Sequence, residues 1–251
     1  MSNIDRNEVW RLENSVMARI VEGGMQAYAE SLPNIDKAFG LQDMILRCMD
    51  GRTPGGVHLA GSGILLGLGG AVKFAEEVKR LCGKKVEEIG WHKDCGAAAA
   101  YAKEYGGTAD DNARQFAERL ASKLGIGSIE VKNSAQASFH PERAIYFDGT
   151  GIFDPSQVEE LPTGFIISRA YLDFDIEYAK RELAIALDIA LKPHDQGGHG
   201  FGEKFTAQSP LLLIIVARDS EQMNELKTEA QDTIRNLPKA DHARVRLDGF
   251  I

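Results

Sequence analysis

The sequence predicts an α/β protein with a central, mostly parallel sheet flanked by helices. Short apolar runs of strand length alternate along the chain with longer segments of helical periodicity. The apolar run at residues 211–217 has no polar position, which is typical of a strand buried on both faces of a parallel sheet. It is the longest strongly apolar run, and it is far too short to cross a membrane.

The first part of the chain is predicted to form a helical arm and two strands. Apolar residues within 8–32 recur at roughly helical spacing, with an interruption at Gly23-Gly24 and an end at Pro33. Residues 44–46 and 57–60 are predicted to be short buried strands, and the turn signal at 53–56 separates them.

The next segment is predicted to form a helix and a strand. Apolar residues from about position 68 recur at i, i+3, i+4 and i+7, and Gly83 follows as a C-terminal cap. Residues 86–91 are predicted to be the next strand. Because strand–helix–strand units are right-handed, we expect the flanking strands to lie adjacent or nearly adjacent, with their carboxyl ends at the same edge.

The rest of the chain continues the alternation of helices and strands. A helix is predicted to begin at Gly96, and a further helix, capped by Asp110 or Asp111, is predicted to run to about residue 124. Strands are predicted at 129–131, 144–147, 164–168 and 211–217, and helices at 176–191 and 221–236. We find no convincing repeat in the sequence. We therefore predict one domain over residues 1–251, with an N-terminal helical arm at 1–35, a metal-binding core at 36–125, and the remaining sheet and C-terminal helices at 126–251.

The composition is that of an acidic globular protein. The net charge is −8 and the pI is near 5.3, and no basic run with interleaved aromatic residues occurs, so we expect no nucleic-acid partner. The N-terminus lacks the apolar segment of a signal peptide. Three cysteines, an odd and low number, fit a reducing compartment, so we predict a cytoplasmic protein without a membrane partner.

Metal-ligating side chains follow two of the predicted strands. Cys48 follows the first strand, and His92 and Cys95 follow the strand at 86–91. Open α/β sheets place their ligands at the carboxyl ends of strands. Two thiolates and one imidazole are a set that zinc-like ions prefer, and three ligands without an obvious fourth are typical of a catalytic site. We also expect the helix after Cys95 to lower the pKa of its thiol.

Three other features have simpler structural interpretations. Cys82 lies on the apolar face of a predicted helix and is predicted to be a core residue, although a role as fourth ligand would make the site structural. The glycine-rich residues 61–63 lack the spacing of a phosphate loop and are predicted to pack close to the metal site. Asp94 is predicted to be a helix cap or a surface carboxylate.

Four histidines outside the ligand set have candidate roles. His58 and His140 are candidates for proton transfer, with a hydrogen-bonded or exposed structural role as the favoured interpretation. His194 and His199 lie in a glycine-rich loop that either covers a site or is solvated.

The motifs resemble those of two carbonic anhydrase classes. Cys48-x-Asp50-x-Arg52 followed by His92-x-x-Cys95 resembles the beta class, although its cysteine and histidine are closer together than that class usually shows. The string at residues 48–52, with Pro-Gly-Gly at 54–56, looks more like the cadmium-using zeta class, and residues 138–147 are a weaker second likeness to it. The compact His-x-x-Cys spacing is that of the beta class.

The resemblance implies a fold, a reaction and residue roles. It implies a beta-carbonic-anhydrase-like fold and the reversible hydration of carbon dioxide to bicarbonate and a proton, by attack of a metal-bound hydroxide. It implies that Cys48, His92 and Cys95 bind Zn²⁺ or Cd²⁺. Asp50 would accept the hydrogen bond of the hydroxide, and Arg52 would pair with Asp50 and keep it ionised and off the metal. A closed state with Asp50 as a fourth ligand is left open.

Several alternatives stay open at this point. The same site also fits hydrolysis of carbonyl sulfide or carbon disulfide, which are linear molecules like carbon dioxide. A non-catalytic metal-binding protein is a third hypothesis, but it would not need the Asp50–Arg52 pair. Beta-class sites commonly lie at dimer interfaces, so we consider a homodimer and a pocket wall formed by the chain after residue 125 as equal alternatives.

Overall fold

Two parallel sheets form the framework of the protein. The computed structural model describes residues 5–41, 43–53, 55–132, 139–193 and 200–251. Within these ranges the chain is an α/β protein with two four-stranded sheets, flanked by helices, in which every neighbouring pair of strands is parallel. The α/β class is confirmed, whereas the prediction of one central sheet is corrected to two sheets.

The described part of the chain contains eight strands and nine α-helices. The first sheet consists of β1 (Ile45–Cys48), β2 (Val57–Leu59), β3 (Glu88–Trp91) and β4 (Gly127–Glu130), in the spatial order β2-β1-β3-β4. The second sheet consists of β5 (Ala144–Asp148), β6 (Gly164–Ile167), β7 (Leu211–Val216) and β8 (Val245–Phe250), in the order β6-β5-β7-β8. The helices are α1 (Arg6–Leu12), α2 (Asn14–Gly23), α3 (Met25–Glu30), α4 (Gly67–Cys82), α5 (Gly96–Tyr105), α6 (Ala109–Leu124), α7 (Ile176–Leu191), α8 (Ser220–Arg235) and α9 (Lys239–His242). None of the helices in the described ranges is long and apolar enough to span a membrane.

The two sheets have the same topology. In each sheet the second strand in chain order lies on one side of the first, and the third and fourth lie on its other side. A long helix, α4 or α7, connects the second strand to the third in both sheets. The sequence shows no convincing repeat, because such a topology depends on the pattern of apolar positions and connections rather than on identical residues.

Backbone hydrogen bonds join the two sheets beside the end of β1. The N–H of Ile166 donates to the carbonyl of Met49 at 2.8 Å, and the N–H of Ser168 donates to the carbonyl of His58 at 3.1 Å. Strand β6 of the second sheet is therefore held against the carboxyl end of the first sheet. This contact explains why residues from the second half line the site described below.

The strand at residues 211–217 is buried on both faces, as predicted. Leu213 and Ile215 of β7 pack into the larger apolar cluster, whereas Leu212 and Ile214 pack into a second cluster. The second cluster includes Ile20 of α2, so the N-terminal helices cover the face of the second sheet that the larger cluster leaves open. This two-sided burial explains the absence of polar residues from the strand.

The helix ends agree with the predictions in two places and differ in one. Gly24, with φ 85°, separates α2 from α3, and Gly83, with φ 71°, ends α4. The cap of α6 is Thr108, whose side chain accepts a hydrogen bond from the N–H of Asp111. The prediction that Asp110 or Asp111 caps this helix is therefore wrong, because a threonine hydroxyl two or three positions earlier fills that role.

Candidate metal centre

The three predicted ligands lie at adjoining strand ends of the first sheet. Cys48 is the last residue of β1, His92 directly follows β3, and Cys95 directly precedes α5. Because β1 and β3 are neighbouring parallel strands, the loops that follow them meet at one edge of the sheet. One ligand atom from each residue lies within 4.8 Å of the other two. The structure therefore brings the three residues together in a group that could hold a metal ion.

The geometry of the group fits a tetrahedral ion. The two Sγ atoms of Cys48 and Cys95 lie 3.7 Å apart. Two sulfur atoms that bind zinc at about 2.3 Å in a tetrahedral site are separated by about 3.8 Å. Nδ1 of His92 lies 2.8 Å from the carbonyl oxygen of Lys93, which fixes the ring and leaves Nε2 for an ion. Nε2 is buried and has no hydrogen-bond partner among the described residues. An unpartnered buried nitrogen beside two sulfur atoms is the donor set of a zinc-like ion.

Protons occupy the group unequally in the absence of an ion. The hydrogen bond with Cys95 lowers the pKa of Cys48 well below the usual range of a thiol, against the effect of burial. The same hydrogen bond and burial raise the pKa of Cys95. Burial disfavours a charged His92, but the negative charge of Cys48 outweighs it and raises the pKa of His92 to about 9. Near neutral pH the group thus holds one thiolate, one thiol and one imidazolium, and a divalent ion must displace protons from the last two.

The more acidic thiol is not the one expected from the helix dipole. Cys95 is the N-cap residue of α5, and the N–H of Ala98 lowers its pKa as predicted. The hydrogen bond with Cys48 and burial outweigh that effect. Cys48, by contrast, accepts a hydrogen bond from the N–H of Gly61 at 3.3 Å. The prediction of a lowered pKa at Cys95 is therefore corrected: the low pKa belongs to Cys48.

Asp50 and Arg52 form a buried ion pair beside the ligands. Nε of Arg52 lies 3.0 and 3.1 Å from the two carboxylate oxygens, and Nη2 lies 2.6 Å from Oδ2. The backbone N–H of Arg52 also donates to Oδ1 at 2.9 Å. The side chain of Arg52 is only 6% exposed and that of Asp50 is 3% exposed, which excludes a solvated surface pair. Burial alone would raise the pKa of Asp50, but the hydrogen bonds from Arg52 outweigh it and hold that pKa well below its usual range.

The Asp50 carboxylate faces the ligand group without belonging to it. Its Oδ2 atom lies 3.8 Å from Nε2 of His92. Both carboxylate oxygens accept hydrogen bonds from Arg52, so the carboxylate is ionised and fixed in direction. An ionised acceptor held beside an open metal position orients a polar group bound there.

Two side chains from the second half of the protein complete the site. Nδ1 of His140 lies 3.4 Å from Oε2 of Glu142 and 3.9 Å from Oδ1 of Asp50. Oε1 of Glu142 accepts a hydrogen bond from the N–H of Gly51 at 3.0 Å, so it supports the turn that carries Asp50 and Arg52. Asp50, His140 and Glu142 form a second buried group with ligand-type atoms within 4.8 Å of one another. His140 is a candidate for proton transfer from the sequence, whereas Glu142 is not predicted there; the signal for Glu142 is the His-x-Glu spacing just before a strand.

A buried glutamate of α7 also supports the centre. Glu182 is fully buried, and its Oε2 accepts a hydrogen bond from the N–H of Ala60 at 2.6 Å, while its Oε1 accepts one from the hydroxyl of Tyr178. Ala60 precedes Gly61, the residue whose N–H donates to Cys48. Burial raises the pKa of Glu182 to about 7. This residue is not predicted from the sequence, although its spacing from Tyr178 puts a carboxylate on the inner face of the helix.

The corresponding positions of the second sheet carry different residues. Cys48 at the end of β1 pairs with Leu59 of β2, and Asp148 at the end of β5 pairs with Val216 of β7. Asp148 thus ends the first strand of its sheet as Cys48 does, and Ala217 follows the third strand as His92 does. Alanine has no ligand atom in its side chain, so the described part of the second half lacks this metal-binding set.

A cavity of about 310 Å³ lies at these strand ends of the second sheet rather than at the ligand group. Its lining includes Thr150, Arg169 and Arg218. The guanidinium of Arg169 is paired with Glu229 and Asp173 at 2.7 and 2.5 Å, so its charge is already balanced. None of the three ligand residues lines this cavity, so the candidate metal centre and the cavity are separate sites.

The remaining candidate residues have structural roles or lie elsewhere. Cys82 is half-buried, and its Sγ donates to the carbonyl of Val78 at 2.9 Å, outside the three-residue ligand group. His58 is buried, with Nδ1 at 2.7 Å from the carbonyl oxygen of Cys48, and burial lowers its pKa. Asp94 is an exposed residue in the left-handed region at φ 55° and is not the cap of α5.

The glycine-rich segment packs against the centre, as predicted. A Cβ atom on Gly61 would lie 3.5 Å from Sγ of Cys95 and 2.7 Å from the side chain of Ile64. Its φ of +54° also favours glycine. Pro54 of the predicted turn, Ser138 at the start of the second likeness, and the loop histidines His194 and His199 lie outside the described residues.

Comparison of the chain with models of known protein families, with curated proteins and with solved structures gave no match. The interpretation of the site therefore depends on its own geometry and on the motifs.

Proposed function

We propose that the protein is a metal-dependent carbonic anhydrase that converts carbon dioxide reversibly to bicarbonate and a proton. The observation that carries the proposal is the buried Asp50–Arg52 pair, in which Oδ2 of Asp50 lies 3.8 Å from Nε2 of His92, one residue of a three-residue metal-binding group. An ionised carboxylate that is fixed beside the ligands, and is not itself one of them, is suited to orienting a reacting group, as hydration chemistry requires.

The placement of the site supports a beta-carbonic-anhydrase-like fold. The three ligands follow the first and third strands of a parallel sheet with the order β2-β1-β3-β4, and Asp50 and Arg52 lie in the turn directly after Cys48. This is the arrangement that the resemblance to the beta class implies. The segment that leads into β5 supplies His140 and Glu142 to the site, so the chain itself provides a wall that a partner subunit would otherwise provide. A homodimer is not needed for this wall and stays a prediction.

Each residue of the site has a separate role in the proposed reaction. Cys48, His92 and Cys95 would hold the ion and leave room for a fourth ligand. A bound divalent ion supplies a Lewis acid that makes a coordinated water acidic near neutral pH. Asp50, kept ionised by Arg52, would accept a hydrogen bond from the attacking water and orient its lone pair toward carbon dioxide. The buried surroundings strengthen these interactions by excluding solvent.

Zinc is the proposed ion, with cadmium as the alternative. Two thiolates and one imidazole form a soft-to-borderline donor set that suits both. The two thiolates balance the charge of either divalent ion.

Hydrolysis of carbonyl sulfide or carbon disulfide is the second candidate function. The same Asp50–Arg52 arrangement serves these linear substrates, since both react with a nucleophile at their central carbon. The two functions differ in the substrate rather than in the residues, so assays on both substrates separate them.

The experiment is stopped-flow measurement of carbon dioxide hydration on protein with measured metal content. Wild-type protein with one zinc or cadmium ion per chain should be active, Cys48→Ser should lose the ion, and Asp50→Ala should keep the ion and lose activity by about 100-fold or more. Asp43→Asn is the matched control, since it removes a carboxylate paired with Arg47 at the opposite end of the same strand. A fully loaded wild-type protein without hydration activity at neutral and alkaline pH would refute the proposal.

A further inference from the structure

We propose that Glu182 is a positioning residue of the metal centre, which aims the backbone N–H of Gly61 at the sulfur of Cys48 and so tunes that ligand. This inference rests on the metal binding that the proposed function requires, and it adds a residue from the second half of the chain to the centre. Glu182 touches no ligand atom in this role, because it acts through the backbone of residues 60–61.

Two hydrogen bonds connect Glu182 of α7 to Cys48 of β1. Oε2 of Glu182 accepts a hydrogen bond from the N–H of Ala60 at 2.6 Å. The next N–H along the backbone, that of Gly61, donates to Sγ of Cys48 at 3.3 Å. Because peptide groups are planar and the two N–H groups belong to consecutive residues, fixing the first restricts the direction of the second.

The segment that carries the donor has an unusual backbone conformation. Gly61, Ser62 and Gly63 have φ values of 54°, 57° and 92°, all in the left-handed region. Ser62 has a side chain, and residues other than glycine are uncommon in this region because the Cβ atom crowds the backbone. Such conformations persist where the surrounding contacts hold them, and they are frequent at functional sites.

Buried side-chain contacts hold this segment on both sides of the donor. Glu182 accepts from the N–H of Ala60 on one side, and Oγ of Ser62 donates to the carbonyl of Gly90 at 2.5 Å on the other. Gly90 belongs to β3, the strand that His92 directly follows. The N–H donor between the two contacts is therefore fixed from both α7 and β3.

A carboxyl group is costly at this position, which indicates a specific use. Glu182 is completely buried, and it has no ion pair with any residue of the described ranges. Its second oxygen, Oε1, accepts a hydrogen bond from the hydroxyl of Tyr178, so both oxygens have a partner and the side chain is held in one orientation. A leucine would fill a similar volume without the cost of burying a polar group, but it could not accept from Ala60.

The hydrogen bond from Gly61 changes Cys48 as a ligand. A sulfur that accepts an N–H has less negative charge to share with an ion, and hydrogen bonds to ligands tune the affinity of a metal site. Cys95 also has a backbone donor, the N–H of Ala98. That donor belongs to the regular helix α5, whereas the donor to Cys48 depends on a side chain of α7. Loss of Glu182 should therefore affect one sulfur and not the other.

Metal affinity gives the first test. In competition with a chromogenic chelator, Glu182→Leu should weaken zinc binding about 10- to 100-fold. Glu182→Gln keeps an oxygen that accepts from Ala60, so it should recover most of the lost affinity. Leu226→Ala is the control for lost stability, because it truncates a buried side chain of α8 beside the separate cavity. It should bind zinc as the wild type does.

A spectroscopic test detects the hydrogen bond itself. In protein loaded with a spin-active cadmium isotope, proton–cadmium correlation NMR should connect the ion to the amide protons of Gly61 and Ala98 through the N–H···S bonds. In Glu182→Leu the correlation of Gly61 should disappear and that of Ala98 should stay. Glu182→Gln should restore the correlation of Gly61.

The outcomes distinguish this inference from the proposed function. A Gly61 correlation that persists in Glu182→Leu would overturn the inference and leave the proposed function intact. Equal loss of zinc affinity in Glu182→Leu and Glu182→Gln would do the same, as would an equal loss in Leu226→Ala. Wild-type protein that takes up no ion would refute both, whereas loaded wild-type protein without hydration activity would refute the proposed function alone.

Discussion

The Sγ atoms of Cys48 and Cys95 lie 3.7 Å apart although 47 positions separate the two residues in the chain. Two parallel strands of one sheet bring them together, and the shared proton makes one thiol strongly acidic and the other weakly acidic. The pair is thus prepared to exchange protons for a metal ion.

Metal binding should release protons and weaken as the pH falls. The pKa of His92 is raised to about 9 and that of Cys95 is raised well above its usual range, so both are protonated at pH 7 in the metal-free site. An ion must displace about two protons there, and its apparent affinity should fall about 100-fold per pH unit on acidification. Calorimetric titration with zinc in buffers of different ionisation enthalpy measures the number released. Release of no proton would contradict this account of the site.

Replacement of Glu182 should change how stability depends on pH. The folded-state pKa of this buried carboxyl is about 7, above the value of 4.5 that is usual for a glutamate. A raised carboxyl pKa adds stability that is present below the unfolded-state pKa and is lost as the pH rises through the folded-state pKa. Between pH 4.5 and 7, metal-free wild-type protein should therefore lose on the order of 3 kcal/mol relative to Glu182→Gln. Urea unfolding at several pH values tests this, and a constant difference between the two proteins would refute it.

Gly51 should tolerate no side chain. A Cβ atom at this position would lie 2.3 Å from the backbone carbonyl oxygen of Gly164, which cannot move without displacing β6. Gly51→Ala should therefore destabilise the protein by about 1–3 kcal/mol and disturb the neighbouring ion pair. The control is Gly69→Ala in α4, where nothing lies within 4 Å of the new atom and the protein should gain up to about 1 kcal/mol. Equal stability of the two variants in urea unfolding would contradict this packing.

Arg143 should fasten the N-terminal arm. Its guanidinium lies 3.6 Å from the ring centroid of Trp10 and donates to the carbonyl of Trp10 at 2.9 Å and to Oδ1 of Asn14 at 2.7 Å. Arg143→Ala removes all three contacts and should cost about 3 kcal/mol. Limited proteolysis should then cut within residues 5–30 earlier than in wild type. Arg114→Ala, at an exposed position of α6, should leave the cleavage pattern unchanged.

The local parts of the site follow from the sequence. The periodicity that places a strand before Cys48 and before His92, together with the right-handed connection, puts the two residues at one edge, and the structure agrees. The helix at residues 176–191 and the buried strand at 211–217 were predicted for the same reason. Their apolar patterns are long and unambiguous.

How the second half packs against the site could not be predicted from the sequence. His140 and Glu142 reach Asp50 because hydrogen bonds beside β2 and β6 hold the two sheets together, and such bonds between backbone groups leave no trace in residue type. The shared strand order of the two sheets could not be predicted either, because it too depends on backbone pairing rather than on residue type. Which of the two thiols has the lower pKa could not be predicted either, because it depends on the hydrogen bond between their Sγ atoms, which lie 3.7 Å apart.

The most direct test of the central claim is X-ray absorption spectroscopy of the zinc-loaded protein. The account predicts two sulfur ligands at about 2.3 Å, one imidazole nitrogen at about 2.0 Å, and one further light atom. It also predicts that Cys82→Ser leaves the spectrum unchanged. A third sulfur ligand that is lost in Cys82→Ser would contradict the claim, because the centre would then be a closed structural site.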